Sequence, residues 1–210
     1  MFGTTSGRRR RLLVVPFTAV LATLALAPSA SAEAEQFYFF EETASSFWSV
    51  PHQCADGSTV TATLLVLSTR DFEAPDTEDA DPTARVQYQA VCPDGRSFSW
   101  AAPAAPATIT STENLKSVTA SGSAIARDNL GGTHQVSFGV AWTGVGELET
   151  SVRTTASSFQ VNTSTRKERE ATATGRVVFD GVVLVDGQNN HPTRPAPFIR
   201  TDEERTTRTP

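Results

Sequence analysis

The chain has 210 residues, with 18 lysines and arginines against 23 aspartates and glutamates, a net charge of −5. Arg8, Arg9, Arg10 and Arg11 fall in the first 32 residues and no acidic residue does, so the remainder carries 14 basic against 23 acidic residues, a net of −9. That balance excludes a uniformly basic footprint for nucleic acid or an anionic membrane, and neither is expected as a partner.

At the N-terminus a basic stretch, "GRRRR", precedes the apolar run "LLVVPFTAVLATLALA" and the small-residue pattern "PSASA". This is the pattern of a secretory signal, with cleavage expected after Ala32. The sequence around Arg9, Arg10 and Leu12 also fits the twin-arginine core loosely, so export by the general or the twin-arginine route is expected. Residues 1–32 are read as a cleaved leader, 33–187 as one β domain and 188–210 as a poorly ordered tail. The product is then extracellular and free of the membrane. Arginine far outnumbers lysine, which occurs only at Lys116 and Lys167; with abundant Ala, Gly and Pro, this suits a GC-rich bacterial exoprotein.

Past the leader, helical periodicity gives way to alternation in segments rich in Thr, Val and Ser, as half-wet strands require. The first strand is expected over 36–42, and "FYFFEETASSFWSV" crowds aromatics into the first strands of the exported chain. Tyr38, Phe40 and Trp48 form a candidate aromatic binding surface for an extracellular polysaccharide or a protein, with Trp100 and Trp142 as further candidates. In "STVTATLLVLSTR", Val60, Ala62, Leu64 and Val66 alternate with Thr59, Thr61 and Thr63. Further strands are expected over 85–91, 97–101, 117–127, 133–144, 148–155, 158–162, 171–179 and 181–187. In 117–127 the alternating residues are small, and a face of Gly and Ala admits a bulky neighbour such as a Trp.

Between strands, Asp56-Gly57, Asp94-Gly95, Gly131-Gly132 and Asp180-Gly181 provide the residues that tight reversals need. The acidic stretch 71–82 and "AAPAAPA" read as loops, and "TRKERE" (165–170) as a solvated hairpin tip. Many short strands with this punctuation predict an all-β fold: an antiparallel β-sandwich or barrel-like sandwich, built as two sheets.

Cys54 and Cys92 are the only cysteines, each two residues before an Asp-Gly pair. In an exported chain they are expected to pair as a disulfide. A bridge needs Cα atoms about 5.5 Å apart, and two strands separated by a third lie about 9.5 Å apart. The strands carrying the cysteines are therefore expected to be direct neighbours, or to face each other across two sheets near a rim.

No motif assigns catalysis, a cofactor or a metal. Asp71, Glu73, Asp76, Glu78, Asp79 and Asp81 are hard oxygen ligands that could suit Ca²⁺, but their spacing fits no calcium loop; a solvated surface loop is expected. His191 falls in the tail, His134 is expected in solvent, and His52 shares a strand face with Cys54. No Gly-x-Ser-x-Gly elbow occurs. The expected function is a secreted, non-catalytic binding or cell-envelope-associated module. Two alternatives stand: a secreted hydrolase using His52 or His134, and an inhibitor or structural exoprotein acting through an exposed loop.

Overall fold

A computed structural model of the chain describes residues 35–73, 82–190 and 196–208. The leader, most of the acidic stretch and His191 lie outside the described residues. Eleven strands follow one another in order: β1 (Glu35–Gln53), β2 (Thr59–Glu73), β3 (Thr83–Val91), β4 (Ser97–Pro106), β5 (Thr108–Ser111), β6 (Ser117–Asp128), β7 (Thr133–Gly144), β8 (Glu149–Ala156), β9 (Gln160–Phe179), β10 (Val182–Gln188) and β11 (Phe198–Arg208).

All pairings are antiparallel, and they return to their starting point: β1–β2–β3–β4–β6–β7–β9–β11–β1. The all-β antiparallel expectation holds, in its barrel form: one sheet closes on itself where two stacked sheets were expected. β5 continues β4 along β6, β8 continues β7 along β9, and β10 precedes β11 on the other flank of β9. Closure pairs most strand edges, which is how an up-and-down barrel avoids edge-to-edge aggregation.

Three further expectations are corrected. "AAPAAPA" lies mostly in β4, not in a loop. Prolines 103 and 106 cannot donate to a ladder, and β4 pairs with β6 only at Trp100 and Ala101. "TRKERE" is not a hairpin tip but the middle of β9, where Arg166 lies opposite Asp202 of β11. Much of the segment read as a poorly ordered tail is structural: β11 runs between β1 and β9 and closes the barrel. Its charges hid the strand from a hydrophobic pattern, yet they pair across the ladder, as Arg166 with Asp202 at 2.7 Å and Lys167 with Glu203 at 3.6 Å. Asn190 completes the same seam, its Oδ1 accepting from the Ser49 amide at 2.8 Å.

Period-two alternation decides the interior. Even-numbered residues of β1, β2, β3, β6 and β7 point inward, among them Trp48, Leu64, Val86, Val118 and Trp142, all essentially inaccessible. The small residues on this face admit the large ones, as their pattern suggests. A Cβ on Gly175 would lie 3.3 Å from the Trp48 ring, and one on Gly122 would lie 3.0 Å from the Phe138 ring.

Cys54 and Cys92 are bonded, with Cα atoms 6.0 Å apart. They do not follow neighbouring strands, because β2 lies between β1 and β3. The neighbour argument fails because both cysteines sit beyond their strand ends, on inward parity, where a barrel's curved wall brings rims together. The two Cys-x-Asp-Gly turns are built alike. In each the cysteine amide bonds a carbonyl four residues on, at 2.8 Å, and the glycine amide returns to the cysteine carbonyl at 3.0 Å. Gly57 and Gly95 take φ of 84° and 83°, the left-handed region that favours glycine. The Asp56 and Asp94 carboxylates each cap the amide two residues on, at 2.9 Å.

Candidate functional site

On the outer wall, register lines up side chains from five strands. Phe47 pairs with Leu65, Leu65 with Gln87, Gln87 with Ala101, and Ala101 with Arg127. Beside this row runs a polar one, Ser49, Thr63, Gln89 and Ser99, in the same succession of pairings. Between them lies a shallow cavity of about 540 Å³ lined by Phe47, Leu65, Gln87, Gln89 and Arg127, among others. At about 4.8 Å per strand the trough spans about 19 Å from β1 to β6.

The wall holds its shape where its own ladder is short. Beyond the two β4–β6 pairs, Asn129 takes over: its Oδ1 accepts from the Ser99 amide at 3.1 Å, and its Nδ2 donates to the Ser97 carbonyl at 2.9 Å. Phe47, Leu65 and Gln87 are half-buried, while Gln89 and Arg127 are exposed. The result is an apolar floor at the β1 side, two amides in the middle and a guanidinium at the β6 side. Such a surface can meet a flat, partly apolar, hydroxyl-rich ligand by ring contact and by donor–acceptor pairs.

The expected aromatic surface is only partly where it was sought. Tyr38, Phe40 and Trp48 share inward parity. Trp48 is 1% exposed and belongs to the core, so it is not a surface residue. Trp100 and Trp142 are buried as well. Tyr38 and Phe40 lie on the same row as Trp48 but beyond the core, half-buried at the barrel's open end. There the Arg205 guanidinium sits over the Tyr38 ring at 5.4 Å. Burial pushes the Tyr38 hydroxyl's pKa up, and the nearby Glu203 adds to the effect. Phe47, the immediate neighbour of Trp48, is the aromatic that faces outward. Counting parity back from Val50 would have found it.

Deeper in the open end, Glu42 is 6% exposed. Its Oε2 accepts from Arg70 at 3.4 Å, and Arg70 also donates to the Ser111 hydroxyl at 2.8 Å.

At the disulfide end a chain of rings crosses the barrel. His52 stacks on Phe98 at 5.5 Å, Tyr88 on Trp100 at 5.5 Å, and Trp100 on Phe179 at 4.8 Å. His52 Nδ1 and the Tyr88 hydroxyl are 2.9 Å apart, and burial raises the Tyr88 pKa to about 12. His134 is not free in solvent as expected: it stands on the inward row at the rim, 4.5 Å from the Phe179 ring. Its Nε2 faces Asp128 at 2.9 Å and its Nδ1 faces Asp180 at 2.7 Å. A carboxylate can only accept, so making both bonds at once requires both ring nitrogens to donate, which favours the imidazolium. The bonds to Asp128 and then Asp180 raise the His134 pKa. The same bonds, with backbone donors from Gly132 to Asp128 and from Gln135 to Asp180, hold both carboxyls below the usual range.

Neither described histidine makes the hydrolase geometry. His134 spends both nitrogens on carboxylates with no serine in the set, and His52 meets a tyrosine. His52, Cys54 and Cys92 place donor atoms within 4.8 Å of one another. The two sulfurs are joined in the disulfide, so neither offers a thiolate to a metal. No protein-family model matches the chain, and no similar curated protein or solved structure was found.

Proposed function

We propose that this chain is an exported, non-catalytic binding protein that holds an extracellular polysaccharide across the outer trough. The observation that carries the reading is the single register-aligned row Phe47, Leu65, Gln87, Ala101 and Arg127. Aromatic and aliphatic side chains at one side take the apolar face of a sugar ring. The Gln87 and Gln89 amides each offer two donors and an acceptor to ring hydroxyls. Arg127 is exposed, and no carboxylate among the described residues pairs with it, so a uronate or phosphate group on the polymer would find a charge there. The disulfide is consistent with an oxidising, extracellular location.

Retention on immobilised neutral and acidic polysaccharides tests the reading. Arg127→Ala is expected to weaken binding of an acidic polymer about tenfold, one charge-assisted bond's worth. Gln87→Ala should weaken neutral and acidic polymers alike. Absence of retention on the whole panel would contradict the proposal. Export is tested separately by sequencing the N-terminus of protein recovered from the culture medium, where Glu33 is the expected first residue.

A further inference from the structure

We propose that two copies of this chain pair through β8, edge to edge, about a twofold axis at Ser151. All eight residues of β8 are exposed, and the strand pairs only with β9. Its other edge therefore presents backbone donors and acceptors with no ladder partner among the described residues, the arrangement that recruits another strand.

The charges on β8 select the partner and the register. Glu149 lies directly opposite Glu168 of β9, and Arg153 opposite Ser164, which places Arg153 diagonal to Arg166 on the same face. Within one copy, then, Glu149 meets a like charge directly opposite, an unfavourable cross-strand arrangement, while Arg166, diagonal to both Glu149 and Arg153, is held by Asp202. An antiparallel pairing centred on Ser151 sets Glu149 of each copy opposite Arg153 of the other, twice by symmetry. On the opposite face the same register sets Val152, 63% exposed, against Thr150. Registers centred on Glu149 or Arg153 would oppose like charges and are disfavoured. The occupant of this edge is accordingly a second copy of the chain, in one register.

Sedimentation equilibrium of the disulfide-intact chain across micromolar to millimolar concentration tests the pairing. The wild type is expected to dimerise. Glu149→Arg and Arg153→Glu are each expected to weaken dimerisation about tenfold or more, and the doubly exchanged chain, E149R with R153E, to recover it. A wild type that stays monomeric throughout overturns the proposal. So does a dimer whose affinity neither single exchange changes, or one that the double exchange fails to restore. Intact β spectra for each variant separate a lost interface from a lost fold.

Discussion

β9 passes through two environments in one unbroken strand. Over residues 171–179 its inward side chains are Ala171, Ala173, Gly175 and Val177, all buried and packed against elements of the barrel such as Trp48. Over residues 160–170 the same alternation carries Thr163, Thr165, Lys167 and Arg169, and neighbours β8 and β11 supply partners mainly through the backbone and paired charges. The backbone geometry is shared, so the difference comes from what faces the strand. Where a wall closes over the inner face, small and apolar residues are required; where none does, charge and hydroxyl suffice. The disulfide, the aromatic stack and the His134 clamp all lie at the closed end, which should therefore respond far more to substitution than the open one.

The largest contrast should come from the covalent tie. Its cysteines are separated by 38 residues, for which loop-closure entropy gives about 4 kcal/mol. Reduction, or Cys54→Ser with Cys92→Ser, is expected to lower the melting temperature by roughly 10 °C in a domain of this size. An unchanged melting curve would erase the distinction between the two ends.

Next in size is Gly175→Ala. The added Cβ would fall 2.9 Å from a Val140 methyl and 3.3 Å from the Trp48 ring. Overpacking of that kind costs about 1–3 kcal/mol. Thr163→Ala in the other half of the same strand should stay within about 0.5 kcal/mol. Denaturant midpoints of the two variants sharpen the comparison directly, and equal midpoints would contradict it.

A pH scan separates the ends by chemistry. The raised His134 pKa means that its stabilising contribution is fully present below about pH 6.5. It is lost as pH rises through the higher folded-state value. The lowered Asp128 and Asp180 pKa values mean that theirs is present above about pH 4 and lost as pH falls through the lower folded-state values. The clamp should contribute most between about pH 4 and 6.5, and His134→Gln should flatten the melting-temperature profile on both sides of that window. A profile unchanged by the substitution would show that the clamp carries no stability.

The open end's ion pairs should also matter little. Arg166 and Asp202 meet at 2.7 Å, with the arginine side chain 54% exposed. Arg166→Ala should cost no more than about 1 kcal/mol, and less in high salt; a larger loss would mean that the extension is coupled to the barrel.

How much of this was legible in the sequence follows the same division. β2, β7 and the Asp-Gly turns are plain because their alternation pairs apolar with hydroxyl residues, and the cysteines declare the bridge through their matched turns. β11 and the middle of β9 were hidden because "IRTDEERTTR" and "TRKERE" carry charge on both faces, which a hydrophobic pattern scores as loop. Their strand character rests on mutual complementarity, Asp202 to Arg166 and Glu203 to Lys167, which becomes visible only when the two segments are set antiparallel. The trough was missed for another reason. Phe47, Gln87 and Arg127 come from three separated stretches, and only barrel register puts them in one row. Reading Trp48 as a surface residue obscured the outward parity of its neighbour.

The most direct test of the account is a nuclear magnetic resonance titration of the isotope-labelled chain with an oligosaccharide from a polymer that retains it. Shift changes confined to the outward residues Phe47, Gln87, Gln89 and Arg127, leaving Tyr38 and Phe40 at the open end unmoved, are the predicted result. Changes centred on the open end, or spread evenly over the wall, would contradict the assignment of binding to the outer trough.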